Sequence, residues 1–332
     1  MKPVKLGIIG CGIAARDLHW PALKKLTNKF EITVVCNHTE PKAKEFSNMI
    51  GGVPYVLDYA ELLSRTDVEA VDIVLPIHLN YQVTKDALQA GKHVMVEKPL
   101  AANLTDAKSM VEFESHYPQV KMVAENFRYH DTFHRLKTYL VEGIIGEPYV
   151  IFWDVFYHIN PNTNKYAQTK WRIHHQYPGG FITDAGIHNI AVLRDMFGDM
   201  VSVNAFTKSI NRKIGEIDAM SLQFVAANSI HGVFNIFVSV NGFQENRLLI
   251  LGTHGSALVK DNEKIVINKN NKIELEETII TDNGYVGEFE AFYQAIRNGQ
   301  KVVSSFTEAY LDLQVMLRAL ESTKNQQNIK LD

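Results

Sequence analysis

From residue 4 to residue 125 short apolar runs alternate with helix-patterned segments, and this alternation admits few folds other than a parallel sheet covered by helices. The sequence predicts strands over Val4 to Ile9, Glu31 to Cys36, Ala70 to Leu75, His93 to Glu97 and Val120 to Glu125. Helical patterns fill the intervals at Ala14 to Leu26, Pro41 to Met49, Tyr81 to Ala90 and Thr105 to His116. The strands are rich in Val and Ile on both faces, as strands buried on both sides require.

The pattern then changes. After a helix expected around Asp131 to Glu142, longer and partly alternating strands follow at Tyr149 to Tyr157, Val201 to Thr207, Ala219 to Val225, Ile230 to Val238 and Arg247 to Leu251. Strands without helices between them imply an antiparallel sheet. One helix is expected at Ile187 to Phe197 and two more at Glu288 to Arg297 and Thr307 to Lys324. Residues 268–272 and 282–284, rich in Asn, Asp and Gly, suit hairpin turns.

A chain of 332 residues exceeds the size at which one core usually keeps growing. The expected fold class is therefore α/β in two parts. Residues 1–125 would form a doubly wound Rossmann domain. Residues 126–332 would form an α+β domain with a large, mainly antiparallel sheet for substrate binding and oligomerisation, its last helices free to pack back on the first domain.

Composition removes several function classes. With 34 basic and 37 acidic residues the net charge is −3, and no basic block longer than a Lys-Lys pair offers a nucleic-acid footprint. No stretch approaches the length of apolar sequence that a membrane span needs. The first residues enter a strand at once, without the pattern of a signal peptide, so a cytoplasmic location is expected. Cys11 and Cys36, the only cysteines, read as buried reduced thiols, and no metal set is completed by His174 and His175.

The first strand-to-helix turn reads Gly10-Cys11-Gly12-Ile13-Ala14-Ala15. Two glycines and a small third residue there let the backbone turn tightly and approach a pyrophosphate over a helix N-terminus, the signature of dinucleotide binding. At the end of the second strand, where an acid would hold the adenosine ribose of NAD, stand Asn37 and His38. No carboxylate repels a 2′-phosphate, so NAD and NADP both stay open, with a lean to NADP.

Glu97-Lys98-Pro99 closes the strand at 93–97, where open α/β sheets present residues to ligands. This triplet resembles that of the Gfo/Idh/MocA oxidoreductase family, and further segments extend the resemblance over essentially the whole chain. They are the Gly10/Gly12/Ala15 turn, Asn126-Phe127-Arg128, Trp171-Arg172, and residues 179–188 from Gly179-Gly180 to His188. The resemblance implies a catalytic group of Lys98, Asp184 and His188. It also implies cofactor contacts from Ile13, Ala14, Leu75, Pro76, Asn80, Glu97, Lys98, Asn126, Trp171 and Arg172, and a substrate cleft reached by Arg128, Tyr157 and Arg172. Two positions depart from the family pattern. The chain has Leu75-Pro76-Ile77 with Asn80 where Thr-Pro-Asn and a histidine are common, and Ala191 where an Asp often follows the histidine.

The residues agree with that chemistry. Oxidising an alcohol needs a base for the hydroxyl proton, and histidine, here His188, is the residue type suited to that task near neutral pH. Asp184, four residues earlier, can orient the imidazole if the helix has begun there, or simply cap a helix starting near Gly186. Lys98 would hold the substrate oxygen as negative charge develops. The expected activity is hydride transfer between a nicotinamide and a sugar, cyclic polyol or related hydroxy compound. A trans-dihydrodiol-type dehydrogenase and a catalytically silent dinucleotide sensor are the alternatives. A homodimer or homotetramer through the second domain's sheet is expected.

Overall fold

The computed structural model describes residues 2–331 and divides them into two compact units, residues 2–126 with 285–310, and residues 127–284 with 311–331.

The first unit is built on a six-stranded sheet, all of it parallel. Its strands are β1 (Val4–Ile9), β2 (Phe30–Cys36), β3 (Tyr55–Val56), β4 (Ala70–Ile73), β5 (His93–Glu97) and β6 (Lys121–Ala124). Their spatial order, β3-β2-β1-β4-β5-β6, is that of the doubly wound dinucleotide fold, whose order reverses beside β1. The helices between strands are α1 (Trp20–Lys25), α2 (Glu40–Met49), α3 (Tyr59–Ser64), α4 (Asn80–Gln89) and α5 (Leu104–His116). A π-helical turn, Ala15–His19, precedes α1, and such turns recur at functional sites.

The second unit holds α6 (Asp131–Val141), β7 (Pro148–Phe156), the short α7 (Lys170–Ile173) and α8 (Gly180–Phe197). Then come β8 (Met200–Lys208), β9 (Ala219–Ala226), β10 (His231–Phe237), β11 (Glu245–Gly252), β12 (Gly255–Lys260), β13 (Lys264–Lys269) and β14 (Lys272–Thr278). With β15 (Ile329–Lys330) they form a nine-stranded sheet in the order β14-β13-β12-β11-β7-β10-β9-β8-β15. Only the β7–β10 pair is parallel. Side chains alternate between buried and partly exposed along β9 and β10, and α8 packs on the sheet at β9.

Helix α9 (Tyr285–Asn298) returns to the first unit, and α10 (Phe306–Asn325) crosses the division between the units. The return of α9 has an aromatic cause: Phe289, Phe292 and Tyr293 pack around Phe30, with ring centroids 5.8, 6.5 and 5.9 Å from it.

Two local expectations need correction. Helix α8 starts at Gly180 instead of near residue 187, because Gly179 takes a left-handed φ of 82° and Thr183 donates its hydroxyl to Pro178 O, which closes the first turn early. Residues 282–284 enter α9 and do not join two strands; Asn283 and Gly284 supply the left-handed backbone of that entry. The hairpin expected at 268–272 forms, on Asn270 and Asn271, and the strands flanking it, β13 and β14, were not read from the sequence.

Phe289 is fully buried between Phe30 and His19. Phe289→Ala should cost about 3–5 kcal/mol, the usual range for emptying a buried aromatic site. Denaturant unfolding followed by Trp fluorescence and circular dichroism measures it; a midpoint equal to the wild type's would contradict the packing account.

Candidate active site

In the first unit the glycine turn follows β1 directly. Gly10 has φ 106°, and a Cβ there would lie 2.1 Å from the carbonyl oxygen of Val74 at the end of β4. Only glycine lets β1 and β4 approach this closely. Gly12 differs: a Cβ on it would meet nothing within 4 Å, so this glycine is not demanded by the protein's own packing. Backbone that a ligand must approach closely is the other reason for glycine. Ile13 and Ala14 continue the turn into the helix, and Ala15 is fully buried against the sheet. The turn therefore fits a dinucleotide's pyrophosphate, held at the helix start by backbone N–H groups.

Asn37 serves this turn from β2. Its Oδ1 accepts from Cys11 N at 3.2 Å and its Nδ2 donates to Thr39 O at 3.2 Å, so the amide braces backbone where a ribose contact was expected. His38 is exposed beside it. Burial pushes the Cys11 and Cys36 thiols up to about 12, helped at Cys11 by the adjoining Cys36 and at Cys36 by the Asp58 and Glu61 charges, so both stay protonated. Leu75 borders Gly10, where its Cδ2 would lie 3.1 Å from an added Cβ, and Pro76 leads into a single 3-10 turn, Ile77–Leu79.

Asn80 and Glu97 were expected to touch the cofactor, and the structure gives both a different task. Asn80 is fully buried and its Nδ2 donates to Glu97 O at 2.8 Å and Pro99 O at 2.9 Å, clamping the backbone on either side of Lys98. Glu97 turns inward. Its Oε2 accepts from Lys98 N at 3.0 Å and its Oε1 lies 3.2 Å from His19 Nε2. His19 Nδ1 in turn meets Asp72 Oδ2 at 2.8 Å. His19 and Asp72 are both fully buried and were not singled out by sequence reasoning; an acid inside the otherwise apolar run of β4 was the available signal. Lys98, half-buried, thus sits on a turn held from both sides, and its bond to Pro99 is cis. Asn126, at the end of this unit, is buried.

In the second unit Asp184 and His188 lie one turn apart on α8, so Asp184 is a residue of the helix and not its cap. Arg172 Nε donates to Asp184 Oδ2 at 2.7 Å, and its guanidinium lies 4.0 Å from the Trp171 ring and 5.1 Å from that of Tyr166. Burial first, and then the Asp184 charge, raises the phenols of Tyr157 and Tyr177 above their ordinary value, so both stay protonated donors. The His188 ring stacks on Phe127 with centroids 4.7 Å apart and planes 24° apart. Asp184, Arg172, Trp171 and Tyr157 therefore form one neighbourhood, with His188 on the next turn of the helix. Arg128, expected to reach the substrate cleft, makes a different set of contacts. It is buried, and one terminal nitrogen meets both oxygens of Asp312 at 3.0 Å, in an ion network with Arg194.

Comparison with known proteins identifies this assembly. Residues 4–125 match the model described as "Oxidoreductase family, NAD-binding Rossmann fold", and residues 133–258 match the GFO/IDH/MocA C-terminal domain. An oxidoreductase from Thermotoga maritima has 35% sequence identity and a TM-score of 0.92, over 99% of this chain and 98% of that one. A Saccharomyces cerevisiae protein of uncharacterized function is 34% identical over 66% of this chain and 62% of its own length. The NADP(+)-dependent scyllo-inositol 2-dehydrogenase of Bacillus subtilis is 22% identical over 99% of this chain and 96% of its own. The chain belongs to the GFO/IDH/MocA family. Its first unit carries the NAD-binding Rossmann fold of that oxidoreductase family.

The two glycines yield separable outcomes. Gly12→Val has room for its side chain and should fold with a wild-type melting temperature while weakening reduced-cofactor binding by about tenfold or more, on the order of 1.4 kcal/mol. Gly10→Ala should be unstable even without cofactor. Calorimetric melting and fluorescence titration separate the two effects, and a Gly12→Val protein that binds normally would remove the turn from the cofactor site.

Proposed function

We propose that the enzyme is an NAD(P)-dependent dehydrogenase acting on a hydroxyl carbon of a sugar, cyclic polyol or related compound, with Lys98, Asp184 and His188 as its catalytic group. The single observation that carries the reading is the matched pair of sites: a glycine turn leading to the buttressed Glu97-Lys98-Pro99 in the first unit, and Asp184 with His188 one helical turn apart in the second. Relatives named D-apiose, levoglucosan and scyllo-inositol dehydrogenases support the substrate class.

His188 takes the hydroxyl proton, and its stacking on Phe127 fixes the plane of the ring. Arg172 pairs with the Asp184 carboxylate and holds it in place on the preceding turn. Lys98 holds the substrate oxygen by its ammonium group and stabilises the negative charge that develops there. Tyr157, kept protonated by burial and by Asp184, donates to a substrate hydroxyl. The nicotinamide, when bound, supplies the acceptor or donor of hydride. Gly10, Gly12, Ile13, Ala14 and Ala15 hold its pyrophosphate, with Leu75, Pro76, Asn126, Trp171 and Arg172 as further cofactor contacts.

NADP is the preferred form in this proposal, since residues 36–39 bring no carboxylate against a 2′-phosphate and His38 is exposed at the strand end. Among the described residues no helix is long and apolar enough to cross a membrane. The chain self-associates through the open face of the nine-stranded sheet. Phe206, 71% exposed, and Ile210, 59% exposed, line a groove there with Phe237 and Val240.

A panel of cyclic polyols, aldoses and vicinal diols, read with NAD+ and NADP+ by absorbance of the reduced nicotinamide, tests the activity. Lys98→Met and His188→Ala should each lose roughly 10²–10⁴-fold in turnover while binding reduced cofactor normally, as removal of proton-transfer groups does. Wild-type rates in either variant, or no turnover across the panel with tight cofactor binding, would overturn the proposal. NADPH should bind more tightly than NADH, and light scattering at micromolar protein should give at least twice the 37.6 kDa chain mass. Equal affinities or a monomeric mass would reverse those two assignments.

A further inference from the structure

The histidine at the end of the π-helical turn joins two parts of the first unit that lie far apart in sequence. His19 follows the glycine turn by one helical segment, yet its ring lies between an acid of β4 and the acid that precedes Lys98. We propose that His19 is a positioning residue, which by bridging Asp72 and Glu97 ties the helix after the glycine turn to the Glu97-Lys98-Pro99 turn and so sets where Lys98 stands.

The geometry determines how the bridge works. Asp72 Oδ2 is 2.8 Å from Nδ1 and Glu97 Oε1 is 3.2 Å from Nε2, so both ring nitrogens face carboxylate oxygens. Only an imidazolium donates from both nitrogens. The ring is fully buried. Asp72 and Glu97 contact it, Phe289 packs edge-on at 5.4 Å, and Tyr285 lies at 6.4 Å. Glu288, fully buried on α9 with neither oxygen hydrogen-bonded within the protein, faces the same cluster. Burial opposes the charge on His19, and Asp72 and then Glu97 outweigh it, so the imidazole is held well above its usual range. Burial holds the Glu288 carboxyl well above its usual range; the His19 charge pulls the other way, and Glu97, Glu125 and Asp72 push it up further. A neutral Glu288 leaves one imidazolium shared by two carboxylates. Glu97 is then fixed by His19 at one oxygen and by Lys98 N–H at the other, while Asn80 grips the backbone on either side of Lys98.

This role rests on the proposed function of Lys98, because positioning matters only if that lysine works. The test has two arms that separate the two claims. In 15N-histidine-labelled protein with saturating NADPH, the His19 ring should show both nitrogens protonated at pH 8; a single protonated nitrogen would overturn the bridge on the folded wild type alone. The second arm compares His19→Leu with His19→Gln, which retains an N–H donor. His19→Leu should lower kcat about tenfold or more on the panel compound the wild type oxidises, a modest share of what misplacing a catalytic group can cost. KM and the dissociation constant for NADPH should stay within about threefold, and the kcat pH profile and the NMR titration of the Lys98 side chain should shift. His19→Gln should recover part of kcat. An unchanged kcat and Lys98 titration in His19→Leu, with Lys98→Met inactive, would overturn the positioning role and leave the catalytic reading standing. An active Lys98→Met would remove the catalytic reading itself. If His19→Leu does not fold, a singly protonated wild-type ring, or a His19→Gln enzyme with wild-type kcat and pH profile, still overturns the bridge.

Discussion

A carboxylate buried in the middle of a parallel sheet needs a partner, and Asp72 meets that need with a histidine from the opposite end of a helix. Taking both ions out of water costs several kcal/mol each, so the pair persists only because its geometry and additional hydrogen bonds offset the penalty. The additional bond runs to Glu97. Through it the sheet, the helix after the glycine turn and the lysine-bearing turn become parts of one arrangement. Asn80 completes it from α4 by holding backbone alone. A position where the family commonly has a histidine is here a framework amide, and its consequence falls on the shape of the turn.

Much of this was legible in the sequence. Parallel strands covered on both faces announce themselves as apolar runs, and Gly10 and Gly12 fall where such a run meets a helix. The glycines differ in why they are needed, which only coordinates reveal: one clears a carbonyl oxygen of β4, the other clears nothing belonging to the protein. His19 was illegible because, on the sequence, it is one polar residue in a helix, and its partners lie 53 and 78 residues away. β3 spans two residues, too few to show a period. The region 255–278 was missed because its hairpin strands carry charges on their outer positions and look like loop. Gly179-Gly180 and Thr183 read as a turn in the sequence, which sets the expected start of α8 too late and gives Asp184 two roles.

The second unit resolves that ambiguity through Arg172. Its pairing with Asp184 turns a residue that could have capped a helix into a charged group fixed beside two protonated tyrosines. Arg128 shows the reverse. A cationic residue in a matched motif was assigned to substrate, and the fold uses it against Asp312 and the neighbouring Arg194, where a buried acid needs two guanidinium groups. Charge type and motif position were equal guides in the two cases. The burial of the arginine itself made the difference, since Arg128 is buried and Arg172 only partly so.

The nine-stranded sheet ends on β14, whose outward residues include Lys272, Glu274 and Glu276, and on β15, which is two residues long. Charged side chains and extreme brevity are the devices by which sheets refuse further strands. Both open edges are therefore poor templates for another chain, and a sheet this wide is kept from growing sideways into a fibre. Any association of copies is left to the broad face, where contacts are made by side chains and the number of subunits is set by surface shape instead of by backbone pairing that has no natural end.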